Sequence, residues 1–161
     1  MKAVIALLAL ALPVAAFAQD GAAVEEATHD LAWHNNQQLA IAELKQEDGW
    51  QVLPGGLKYR RLSGDGTGPR PTVADTVTVH YAGRLLDGTQ FDSSYDRGEP
   101  ATFPLGRLVK AWQLPIPEMG VGDTIEIAVP ADMGYGPRGK GPIPGGATLL
   151  FKVELIDIPG D

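Results

Sequence analysis

Seven side chains on short, separated stretches hold the chemical potential of this sequence: Tyr81, Phe91, Asp92, Arg97, Trp112, Tyr135 and Phe151. Four of them fall within TVTVHYAGRLLDGTQFDSSYDR, residues 76–97, which reads as a strand, a tight turn and a returning strand. The set offers five aromatic rings, one carboxylate and one guanidinium. Ser93 and Ser94 have no base at a recognisable spacing, so covalent catalysis has no candidate nucleophile. His29, His34 and His80 do not sit at ligand spacing with carboxylates, and the chain has no cysteine, so neither a metal nor a cofactor is expected. Such an inventory suits a site that grips a substrate and changes its shape without making or breaking a bond. Any one aromatic alone reads as core. Together they sit at the ends of elements, where side chains converge on a mouth. For Asp92 two readings stand side by side: a carboxylate that polarises the substrate, or one arm of an ion pair with Arg97 that fixes the hairpin.

The elements that must position these residues are short strands. Residues 57–62 alternate, as do 76–81, where Val77, Val79 and Tyr81 share one face and Thr76, Thr78 and His80 the other. Ile125, Ile127 and Val129 alternate with polar or small neighbours, and so do Leu149, Phe151, Val153 and Leu155. Asp87-Gly88 marks the tight turn between two strands. Only residues 110–118 look helical within this part. Alternation on single faces predicts an antiparallel sheet with one wet side, hence an α+β fold with the sheet wrapped around one short helix. Glycine-rich residues 64–68 read as a turn, not a phosphate loop.

The remaining sequence divides into two parts. Residues 1–18 carry Lys2, an apolar run and a small-residue ending at Ala16-Phe17-Ala18, the pattern of a secretory signal peptide. The run is shorter than the ~20 residues a spanning helix requires, so the mature form is expected without a membrane span, exported to the bacterial periplasm. Residues 19–50 form an arm. Within it residues 24–46 suit a helix, with Asp48-Gly49 as the stop. Its apolar stripe is thin, Trp33, Ala40 and Leu44, with Leu31 and Ile41 off it. That predicts loose docking on its own domain or a weak dimer contact, and therefore a monomer or weak homodimer. Residues 51–161 form the domain proper. Twenty acidic against 13 basic residues, a formal net charge of −7, argue against nucleic acid as a partner. Without disulfides, stability must come from a packed core.

VHYAG, LDGTQFDSS, the surroundings of Trp112, DMGYG and IPGGATLLFKVEL occur in one order that resembles the FK506-binding-protein (FKBP) type of peptidyl-prolyl isomerase. The resemblance runs from residue 56 to 158. The helix and residues 52–59 before it are similar to exported bacterial members of the macrophage infectivity potentiator type. It implies an FKBP-like fold and non-covalent isomerisation of X-Pro bonds in proline-containing polypeptides, with a macrolide of the FK506 type as a further ligand. A peptide-binding module or holdase chaperone on the same fold is the alternative. The resemblance also implies roles. Trp112 matches the floor beneath the proline ring, and Tyr81, Phe91 and Phe151 match its walls. Asp92 matches the carboxylate beside the bound amide, paired with Arg97, and Tyr135 the hydroxyl that bonds a substrate carbonyl. Val109 matches a backbone N–H that contacts the ligand, while Phe103, Leu108 and Ile143 belong to the substrate-binding lining. The sequence departs from the pattern in a shortened stretch from Gly106 to Trp112, in Ala111 for a glycine, and in Ala101 for an aromatic. Pro115 and Pro117 stand in the expected helix. Pro115 lacks an N–H and should shorten or kink it.

Overall fold

The computed structural model describes residues 31–160; the expected signal peptide and the first part of the arm lie outside them. The alternating stretches become β1 (Gln51–Val52), β2 (Lys58–Ser63), β3 (Thr76–Leu85), β4 (Gln90–Ser93), β5 (Ala101–Pro104), β6 (Thr124–Val129) and β7 (Leu149–Asp157). They pair into one antiparallel sheet in the order β1-β2-β6-β7-β3-β4, with β5 also pairing β3. Val77 and Val79 of β3, Ile125 and Ile127 of β6, and Val153 and Leu155 of β7 are fully buried. Their alternate neighbours Thr76, Thr78, His80 and Glu154 are partly exposed. This is the expected α+β arrangement with one wet sheet face.

Strand β3 changes partner along its outer edge. Thr76 to Val79 pair with β5, and Ala82 to Arg84 pair with β4. The gap leaves Tyr81, paired with Val153 of β7 on its other side, without a strand partner along this edge. Ser94 fills it: its Oγ accepts from the Tyr81 N–H at 2.7 Å and lies 3.2 Å from the Tyr81 carbonyl. A buried N–H left unpaired would cost about as much as a lost hydrogen bond.

The helix on the buried face of the sheet is interrupted where Pro115 requires. α3 (Lys110–Gln113) is one turn, followed by a separate 3₁₀ turn Ile116–Glu118. Ala111, Trp112, Ile116 and Met119 are buried against the sheet. One element was not foreseen: α2 (Ser94–Arg97), a single turn capped by the Ser93 side chain and ended by left-handed Gly98. A serine three residues ahead of Asp96, with a glycine just past the turn, is the local signal that could have found it.

In the arm, the described part of helix α1 covers residues 31–42 and ends four residues before the expected limit. Lys58 supplies the reason: its Nζ donates to the carbonyls of Ile41 (2.8 Å) and Leu44 (2.6 Å), satisfying acceptors that further helix would have used. Gly49 adopts φ +86° as expected, but it caps a 3₁₀ turn Gln46–Asp48. The inward stripe also differs. Ile41 is half-buried beside Ala40 and Leu44, and the most buried position is polar: Gln37, 6% exposed. Its Oε1 accepts from the Thr148 N–H at 2.8 Å, and its carbonyl accepts from the Thr148 hydroxyl at 3.0 Å. Glutamine is ordinarily a surface residue, so the apolar pattern alone pointed past it. From His34 onward the chain forms one compact unit with the sheet.

Replacing Gln37 by alanine leaves the buried Thr148 N–H without its acceptor. The expected loss is about 1–3 kcal/mol of stability, the cost of one unsatisfied buried group. Leu39→Ala, at an exposed position of the same helix, should stay within about 0.5 kcal/mol. Urea unfolding followed by tryptophan fluorescence measures both, and equal midpoints would show that the helix contributes nothing through Gln37.

Candidate active site

The β3–β4 hairpin closes as its Asp87-Gly88 signal predicts. Gly88 has φ +87°, Asp87 Oδ1 accepts from the Thr89 N–H at 2.8 Å, and the Leu85 N–H bonds the Thr89 carbonyl at 2.9 Å. Between Gly83↔Asp92 and Arg84↔Gln90 the register shifts by one residue, a bulge that contains Phe91. Bulges re-aim side chains, and this one brings Phe91 and Asp92 to the same mouth. Gly83 makes room for that: a Cβ there would lie 2.5 Å from the Phe91 ring and 2.8 Å from Phe151. With hydrogen in its place, the two rings meet edge to face with centroids 5.5 Å apart.

Trp112 rises from α3 into the same cluster. Its indole stands edge-on to Phe151 at 5.4 Å, to Tyr81 at 5.1 Å and to Phe103 at 6.3 Å, the geometry aromatic quadrupoles favour. The shortened approach to it is fixed by a residue that sequence reading passed over. Gln113 Nε2 donates to the carbonyls of Gly106 (3.1 Å) and Leu108 (2.6 Å). Val109 is the N-cap just before α3, its carbonyl accepting from the Trp112 N–H at 2.9 Å. Trp112 Nε1 is itself buried without a partner.

Behind these rings lies a closed ring of polar contacts. Tyr81 Oη donates to Asp92 Oδ2 at 2.6 Å, Arg97 Nη1 to Asp92 Oδ1 at 2.6 Å, and Arg97 Nη2 to Tyr81 Oη at 2.9 Å. Partial burial pushes the Asp92 carboxyl up, but the Tyr81 hydroxyl and the Arg97 guanidinium together outweigh it and hold the group below its usual value. Burial, then the bond to Asp92, raises the Tyr81 hydroxyl, which stays protonated and able to donate. The pair Asp92–Arg97 keeps nearly half of each side chain exposed, so its worth lies in orienting Asp92 more than in stability.

These parts enclose a cavity of about 510 Å³, within the usual range for a small-ligand site. Ten of the eleven sequence-predicted positions line it: Tyr81, Phe91, Asp92, Trp112, Tyr135 and Phe151, and also Phe103, Leu108, Val109 and Ile143. Arg97 does not; it acts from behind through Asp92 and Tyr81. Tyr135 stands on a separate loop, outside the edge-packed rings, with Lys140 Nζ 5.7 Å from its ring centre. The lining also includes Arg107, Lys140, Gly141 and Pro142, which sequence reading missed because nothing in a loop marks which side chains face a cavity.

Ser94 turns out to have a histidine neighbour, His80 Nδ1 at 2.9 Å. The hydroxyl is fully buried and already engaged with the Tyr81 backbone, so it is a strap and not a nucleophile. His80 packs against Tyr95, ring centres 4.7 Å apart. Among the described residues no group of histidines and carboxylates could hold a metal ion.

The family model for FKBP-type peptidyl-prolyl cis-trans isomerase matches residues 68–156. The outer membrane protein MIP of Legionella longbeachae is 46% identical over 115 residues, 71% of this chain and 49% of that protein. FkpA of Aeromonas hydrophila, an FKBP-type peptidyl-prolyl cis-trans isomerase, is 43% identical over 118 residues, 73% of this chain and 44% of that one. FK506-binding protein 2 of Emericella nidulans is 51% identical over 94 residues and is covered to 70%. The chain thus spans about half the length of the bacterial relatives it matches. The crystal structure of FkpA from Escherichia coli superposes with a TM-score of 0.72 at 33% identity, covering 86% of this chain and 63% of that one. With the sheet, the aromatic floor and the family model all falling on the same residues, the chain belongs to the FKBP-type peptidyl-prolyl cis-trans isomerase family.

Proposed function

We propose that this chain accelerates cis/trans rotation of X-Pro bonds in exported, proline-containing polypeptides. The observation that carries this reading is the apolar cavity floored by Trp112 with Asp92 held ionised at its edge by Tyr81 and Arg97. Uncatalysed rotation faces a barrier of about 18–20 kcal/mol. Lowering it by roughly 4–7 kcal/mol gives about a 10³- to 10⁵-fold acceleration. A planar amide separates charge and is stabilised by water; twisting it removes much of that separation. A dry aromatic pocket therefore favours the twisted form relative to the planar one. Trp112 would carry the proline ring, with Tyr81, Phe91, Phe103 and Phe151 as walls and Leu108 and Ile143 as apolar lining. Asp92 would face the amide, and the Val109 N–H and Tyr135 hydroxyl would bind carbonyl oxygens. No proton has to move, so an ionised and fully engaged Asp92 is no obstacle. A macrolide of the FK506 type would compete for the same cavity.

Residues 1–18 would direct export to the periplasm, consistent with relatives such as the outer membrane protein MIP, and residues 51–161 would form the isomerase domain. The protein would act as a monomer or weak homodimer through the arm, assisting folding of exported chains. A purely binding module or holdase on the same fold is the second reading; it would use the same cavity floored by Trp112 and leave the exchange rate of an X-Pro peptide unchanged.

In a protease-free assay, micromolar protein should accelerate exchange of an X-Pro peptide, and absence of acceleration overturns the proposal. Asp92→Leu should lower kcat/KM by about tenfold to a hundredfold, the worth of a charge-assisted contact. Tyr81→Phe should cost less, because Arg97 still holds the carboxylate. The pH profile follows from the direction of the Asp92 shift. A carboxyl held low in the folded protein keeps its charge, and its contribution to stability, above the usual carboxylate range. Both are lost only as pH falls through the lowered value. The rate should therefore stay level from neutral pH through about pH 4, the ordinary carboxylate midpoint; a fall beginning above it contradicts this arrangement.

A further inference from the structure

The chain is acidic, with a formal net charge of −7, yet its cavity is not. The ionisable side chains lining it are Asp92, Arg107, Tyr135 and Lys140, with Tyr81 as the bonded partner of Asp92. Asp92 is already charge-matched by Arg97 at 2.6 Å. Neither Arg107 nor Lys140 has a carboxylate within ion-pair distance among the described residues. Two uncompensated cations therefore border an otherwise apolar hollow in a protein whose charge runs the other way.

The backbone of each is fixed by local structure, and both side chains are exposed. Arg107 closes a 3₁₀ turn anchored by fully buried Leu105 and leads directly into the lining residues Leu108 and Val109. Lys140 is fixed by a two-way backbone bridge to Ile143, with both hydrogen bonds at 3.0 Å, and its ammonium lies 5.7 Å from the centre of the Tyr135 ring. The cations thus stand on two separate segments of the cavity wall. Beside low-dielectric walls, an exposed charge acts more strongly on a bound group than it would in open water.

We infer that the site selects acidic stretches of polypeptide, X-Pro bonds with aspartate or glutamate next to the proline unit, through Arg107 and Lys140. This rests on the isomerase reading above and adds the charge of its substrates. Each exposed pair is worth about a one-and-a-half- to fivefold effect, so two together give a selectivity of about two- to twenty-five-fold. A basic flank meets the same two charges as repulsion.

The test uses the full chain and three peptide series, identical except for Glu, Gln or Lys at the residue before or after proline. At about 0.01 M salt, where the Debye length is about 30 Å, kcat/KM should follow Glu over Gln over Lys in at least one position. At about 1 M salt, with a Debye length of about 3 Å, the ratios should approach one. In Arg107→Gln/Lys140→Gln the Glu to Gln ratio should approach one at low salt as well. Equal rates for Glu and Gln peptides at low salt overturn the inference and leave the isomerase reading standing. A ratio that survives in the double variant overturns its assignment to these residues. No acceleration of even the Gln peptide overturns the isomerase reading itself.

Discussion

Trp112 seated edge-on between Tyr81 and Phe151 is the contact on which the rest of this molecule depends. The two partners come from neighbouring strands: β3 and β7 pair with Gly83 directly opposite Phe151. The indole comes from the single helical turn packed on that face. One ring thereby joins helix and sheet, and the same ring is the floor of the cavity. The site is the end of the hydrophobic core that side chains do not fill. Because Pro115 allows only one turn of α3, no long helix is available to hold the indole. Ring packing and the two hydrogen bonds from Gln113 hold it instead.

The charged part of the site is built on a break in the same sheet. Where β3 passes from β5 to β4, Tyr81 has no strand partner on that edge and Ser94 takes its place. Ser94 opens α2, whose last residue is Arg97. The turn that repairs the backbone thus also delivers the guanidinium to Asp92 and to the Tyr81 hydroxyl. Backbone satisfaction and the orientation of the carboxylate have one structural origin.

The opposite wall depends on elements far away in the chain. Gln37 bonds Thr148 across 111 residues, just before β7 begins and just after the loop that holds Tyr135, Lys140 and Ile143. Gly146 comes so close to His34 that a Cβ there would lie 2.2 Å from the imidazole. The helix therefore braces the stretch that joins the loop wall to the sheet.

Much of this was legible in the sequence. Alternating apolar positions identified the long strands and their buried faces, because a pleated strand turns its side chains to opposite sides with a fixed period of two. Asp87-Gly88 located the hairpin and Pro115 the break in the helix, since turn geometry and a missing N–H are properties of single residues. The aromatic set and Asp92 stood out only as a group at the ends of elements, since each aromatic alone reads as core, and the fold brings them to one cavity. Tertiary structure alone decided the rest. Gly83 matters only through the rings that meet above it, Gln37 only through a partner 111 residues on, and Arg107 and Lys140 only through the cavity their loops happen to border. Those properties belong to pairs of residues brought together by the sheet, and no local pattern in the chain records which pairs will meet.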